Sequence, residues 1–172
     1  MSHPMRKLIE AVKLGEMRGM NAVKAVLSQQ IEAEQDQDDT ETKSLLDQWG
    51  ILDDMWITES GGLMLYREIR LKQPWQNNLK RNGHSYWSTS RRGAHPYDAS
   101  TRNLKDTVDV TIIAELPANS TIDWADLWET HLGRHHVGED EVRLSNVPLI
   151  IRYIYVDGKE VQSPWIGKKV IA

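Results

Sequence analysis

Leu63-Met64-Leu65-Tyr66-Arg67-Glu68-Ile69-Arg70-Leu71 is the stretch that decides how the chain folds. Its apolar start and alternating second half predict a β-strand. Alternation sends Leu65, Arg67 and Ile69 to one side and Tyr66, Glu68 and Arg70 to the other. The sequence on its N-terminal side has a different character. Residues 5–16 place Leu8, Ile9, Val12 and Leu14 close to a helical stripe, and residues 21–31 do the same with Val23, Val26, Leu27 and Ile31 behind a potential Asn21 cap. Residues 32–41 are acidic and aperiodic and read as a solvated helix end or linker. A short third helix is expected over 42–49, stopped by Gly50.

On the C-terminal side the pattern is that of strands. Residues 85–90 predict a second strand. Residues 109–116 predict a buried one, closed by Pro117. A helix is expected over 123–132, with Ser120 or Thr121 near its cap and Trp124, Leu127 and Trp128 on one face. Residues 148–156 and 159–162 flank Asp157-Gly158, a strong hairpin signal, and residues 166–171 suggest a last strand. Helices first and strands afterwards, with no regular βαβ alternation, define an α+β chain. The composition break divides it into a helical segment, 1–58, and a β-rich core, 59–172.

The 172 residues carry a net charge of −4, which argues against bulk DNA binding. The absence of cysteine rules out disulfides and thiolate metal sites. The first residues lack an apolar signal-peptide core, and no run of 18 apolar residues exists to span a membrane, so a soluble cytoplasmic protein is expected. Seven Trp and five Tyr accompany no Phe at all. Such rings offer stacking area with a polar handle, suited to a nucleotide or other planar ligand, although filling the core is the commoner use of them.

Two acids supply the candidate chemistry. If Glu141 opens a strand, Glu139 and Glu141 share one side and Asp140 turns away. Paired carboxylates suit a reaction that builds a positive centre or removes a proton. Ahead of them come Arg67 on a strand and Ser88-Thr89-Ser90 at the end of another. A strand arginine alone is commonly ion-paired, and Ser-Thr-Ser alone is commonly a β-prone strand end.

In this order the three pieces resemble the Arg, Ser-Thr-Ser and Glu-x-Glu motifs of mono-ADP-ribosyltransferases of the R-S-E type, found among bacterial toxins, phage enzymes and vertebrate ectoenzymes. The resemblance covers roughly residues 60–172. It implies a mixed, split β-sheet core that binds NAD+ as co-substrate, and transfer of ADP-ribose to a macromolecular acceptor with release of nicotinamide. Arg67 would hold phosphate or ribose oxygens through forked, charge-assisted hydrogen bonds. Ser88, Thr89 and Ser90 would orient the ribose and the Glu141 carboxylate. Glu141 would accept from the ribose 2′-hydroxyl and stabilise charge at the anomeric carbon. Glu139 would position or deprotonate the acceptor. Tyr97 lies where the family often sets a ring against the nicotinamide, and Trp87 is either a ligand contact or core.

Glu-x-Glu, rather than Gln-x-Glu, goes with an arginine acceptor on a host or target protein; RNA is the other acceptor class. A phage or bacterial effector fits these features by association. The chain departs from the family pattern at Glu68, where Gly is common, in the Arg-, Gly- and Pro-containing stretch after Ser90, and at Arg143, which could pair with one of the acids. Two other readings compete. One is a metal-dependent hydrolase built on His131, His135 and His136 with Glu129, Glu139 and Asp140, against which Gly133 interrupts the helical spacing. The other is a non-enzymatic binding or inhibitor protein that docks through its N-terminal helices.

Overall fold

The computed structural model describes residues 3–15, 17–34, 39–90, 105–133 and 141–172. The chain is mixed α/β, and its residues group into two compact units interleaved in sequence. One is Met1–Leu63 with Pro117–Val137; the other is Met64–Leu116 with Gly138–Ala172. The change in composition after residue 58 thus lies close to the first crossing, at Leu63, while the segment from Pro117 returns to the helical unit. No helix among the described residues is long and apolar enough to cross a membrane.

The helical unit holds α1 (His3–Leu14), α2 (Met20–Glu34), α3 (Asp39–Asp53) and α5 (Trp124–Asp126), the last continuing as a π-helix over Leu127–Gly133. Helix α2 buries Met20, Val23, Val26 and Leu27 completely, and Trp124 and Trp128 are buried in the same unit. Two expectations are corrected here. Gly50 lies inside α3 instead of ending it: a Cβ there would meet nothing within 4 Å, so the position is solvated and the helix runs through at a modest propensity cost. The cap of α5 is Asp123, not Ser120 or Thr121; its carboxylate accepts from Asp126 N at 3.0 Å and also pairs with Arg6.

Gly19 and Gly61 join two segments of this unit at close range. Both have positive φ (60° and 99°), and Met20 N donates to Gly61 O at 2.8 Å. A Cβ on Gly61 would overlap the Arg18 carbonyl, and one on Gly19 would overlap the Gly61 carbonyl. Gly61→Ala is therefore expected to destabilise the protein by roughly 1–3 kcal/mol from backbone strain, with the backbone clash adding to it, as read from urea unfolding.

The second unit is built on a seven-stranded sheet: β1 (Leu63–Lys72), β2 (Tyr86–Ser88), β3 (Thr107–Leu116), β4 (Glu141–Arg143), β5 (Pro148–Val156), β6 (Lys159–Val161) and β7 (Lys169–Ile171). The order is β4-β2-β1-β3-β5-β6, and β7 shares the outer edge of β5 with β6. Every pairing of described register is antiparallel, where a mixed sheet was expected. Among the described residues no crossover helix returns a strand in the direction of its neighbour, which parallel pairing requires. The Asp157-Gly158 turn is present, with φ of 48° and 82° at the two residues, and connects β5 to β6. A single helical turn, α4 (Trp75–Asn78), has no periodic signal because four residues are too few to show one.

Registers sort the sheet into two faces. Val110, Ile112 and Ala114 of β3 lie opposite Val156, Ile154 and Ile151 of β5, an apolar row continued by Leu149 opposite Val170. The other face carries ion pairs: Arg70 to Asp109 at 3.0 Å and Arg152 to Glu115 at 2.9 Å. Because Arg70 meets Asp109, the face of β1 that carries Tyr66, Glu68 and Arg70 is the polar one. Leu65, Arg67 and Ile69 belong to the apolar side.

Candidate functional site

Ser88 is the hinge of the site. It pairs with Tyr66 across β1 and with Glu141 across β4, so Tyr66, Ser88 and Glu141 form one cross-strand row on the polar face. Directly opposed residues of an antiparallel pair carry their side chains on the same side, with Cβ atoms about 5 Å apart. The Ser88 hydroxyl oxygen accepts from Ser90 N at 3.1 Å, which leaves its O–H free to donate. Ser88 and Thr89 are buried, and Glu141 is exposed at the first position of β4. A hydroxyl donor beside an accessible carboxylate is a pair able to orient a ligand hydroxyl and to stabilise positive charge next to it.

The register does not bring Arg67 into that row. One residue beyond Tyr66, it lies across from Trp87 on the apolar side. Its Nη1 donates to Tyr86 O at 3.3 Å, and burial pushes the guanidinium below its ordinary pKa. Trp87 is 2% exposed, sits opposite the buried Val142 and donates through Nε1 to His84 O at 2.7 Å. It is a core residue. Of the remaining expected residues, Glu139 and Tyr97 lie outside the described residues, as do His135, His136 and Asp140. Among the described residues no group of three or more His, Asp or Glu is placed to hold a metal ion.

Behind Trp87 sits His84, 3% exposed, its ring centroid 6.2 Å from the indole. Its Nε2–H donates to Lys80 O, which fixes the neutral tautomer and leaves Nδ1 as a buried acceptor without a partner among the described residues. Burial, the larger cause, and the nearby Arg67 charge hold its pKa below the usual histidine value, against an opposing contribution from the Lys80 carbonyl. The unfolded chain therefore takes up this proton first. The stability due to neutral His84 is fully present above about pH 6.5 and falls as the pH drops through the depressed folded-state value. Thermal midpoints between pH 7.5 and 5 are expected to fall more steeply for the wild type than for His84→Gln, whose amide retains a donor for Lys80 O.

The sequence presents Arg143 only as a partner for an acid. It instead lies opposite Tyr86, its Nη2 donating to the Tyr86 hydroxyl at 2.7 Å and its guanidinium carbon 4.6 Å from the ring centroid. The available signal was its position two residues after Glu141, which puts both on one face. Comparison with protein-family models, with characterised proteins and with solved structures returns no match to this chain.

Proposed function

We propose that the protein is an NAD+-dependent mono-ADP-ribosyltransferase that modifies a macromolecular acceptor, with a protein arginine as the first choice. The observation that carries this is the direct opposition of Ser88 and Glu141 on neighbouring strands, with the carboxylate accessible. Two motifs 53 residues apart in sequence thus meet in one row, an arrangement that suits cleavage of a nicotinamide–ribose bond. Glu141 accepts from the ribose 2′-hydroxyl, and its charge stabilises the anomeric carbon as positive charge develops there. The bond from that carbon to the nicotinamide nitrogen breaks, and its electron pair leaves with the nicotinamide. An acceptor nitrogen forms the new bond with its own lone pair and gives up a proton, for which Glu139 is the assigned base.

Arg67 takes a different part from the one its motif suggests. From the apolar side it braces β2 through the Tyr86 carbonyl and so acts as a positioning residue for Ser88. The ADP-ribosyltransferase type of sheet remains part of the same proposal.

The test is to incubate the folded protein with NAD+ labelled in its adenylate part and a bacterial lysate. Label transferred to macromolecules, with nicotinamide released in proportion, is the expected result. Protease and RNase treatment of the product separates protein from RNA as acceptor. A folded sample that transfers no label and releases no nicotinamide overturns the proposal.

A further inference from the structure

If the motif arginine lies on the apolar side, the Ser88–Glu141 face needs another cation for an anionic ligand. Arg70 and Arg152 are committed to Asp109 and Glu115. Arg143 is not paired with a carboxylate among the described residues. It is exposed, and the cross-strand pair Tyr86–Arg143 forms the row next to Ser88–Glu141 on the same face. Rows on one face are two residues apart along each strand, about 7 Å. That step is comparable with the reach from the anomeric carbon of a nucleotide, across its ribose, to its 5′-phosphate.

Arg143 is also held in place. The Tyr86 ring, 44% exposed, supports the guanidinium face, and the tyrosine hydroxyl accepts one of its N–H groups. A guanidinium has five N–H donors, so four remain to grip phosphate oxygens in a fork. The side-chain ordering that normally opposes such binding has already occurred in the free protein. Glu68, the nearest acid of the same row, is on β1, two strands and about 10 Å from β4.

We infer that Arg143, seated on Tyr86, is the guanidinium that binds the diphosphate of the dinucleotide. The inference rests on the transferase proposal and adds to it an anion subsite outside the three motifs. The experiment is a pair of NMR titrations, with NAD+ and with nicotinamide riboside, which keeps the reacting end and lacks the diphosphate. Wild type, Arg143→Ala, Tyr86→Leu and Arg67→Ala are compared, each checked for folding by circular dichroism.

Arg143→Ala is expected to weaken NAD+ binding about 10- to 100-fold, the range for a charge-assisted hydrogen-bonded contact, while leaving the riboside unchanged. Tyr86→Leu is expected to give a smaller loss of the same selectivity, and Arg67→Ala to affect both ligands alike. Unchanged NAD+ affinity in Arg143→Ala, equal losses for the two ligands, or a selective loss in Arg67→Ala alone overturns the subsite and leaves the transferase proposal standing. A wild type that binds neither ligand overturns both.

Discussion

Glu141→Gln is expected to lower ADP-ribosyl transfer and nicotinamide release by on the order of 10²–10³-fold, the usual effect of removing one electrostatic contact to a developing charge. The substitution keeps shape and hydrogen-bonding reach and removes only the negative charge. Glu141 is exposed at the start of a three-residue edge strand, so its own contribution to stability is small and an amide is tolerated there. NAD+ affinity should change far less than turnover, because the lost interaction grows as the anomeric carbon becomes positive. Ser88→Ala provides the companion measurement, and the two losses should be non-additive because the side chains share a row. Equal turnover in wild type and Glu141→Gln, measured as nicotinamide released per mole of folded protein, contradicts the role assigned to this carboxylate.

Trp87→Ala is expected to be the most damaging substitution to stability in the sheet unit, at about 3–5 kcal/mol. The indole is among the largest fully buried side chains and faces Val142 across the β2–β4 pairing. Its removal leaves a cavity at the sheet edge and takes from the His84 carbonyl the N–H that donates at 2.7 Å. A loss of this size is a large share of the roughly 5–15 kcal/mol that a folded domain possesses. The thermal midpoint should fall by on the order of 10 °C for a chain of this length. Trp87→Phe keeps most of the packing, loses the hydrogen bond and should cost far less. These variants also separate the two roles that the sequence left open for Trp87. A core residue changes the midpoint and leaves the NAD+ affinity of the remaining folded protein intact; a stacking residue does the reverse.

Elements with a strong period were legible. The alternation from Leu63 to Leu71 and the buried run of 109–116 appear as β1 and β3, and Asp157-Gly158 marks its hairpin. Local chemistry was less informative where tertiary packing decides. Gly50 does not stop α3, and the expected helix over 123–132 departs into a π-helix from Leu127. A shift in backbone pitch leaves the apolar spacing of Trp124, Leu127 and Trp128 unaltered, so the sequence carries no trace of it.

The site shows the same limit more sharply. Parity along β1 correctly separates Arg67 from Tyr66, but which of the two shares a face with Ser88 depends on register between strands. A slip of one residue exchanges the faces. Register is fixed by the pairing of Tyr66 with Ser88 and of Ser88 with Glu141, contacts between residues 22 and 53 positions apart that no local pattern encodes. The motifs thus indicated which residue types belong together, while the sheet determines which of them face one another.

The most direct measurement is a crystal structure of the protein soaked with NAD+. The nicotinamide ribose is expected on the polar face, its 2′-hydroxyl within hydrogen-bonding distance of the Glu141 carboxylate and the Ser88 hydroxyl beside it. A well-ordered crystal in which NAD+ leaves the Ser88–Glu141 row untouched, or binds on the side of Arg67 and Trp87, contradicts the account.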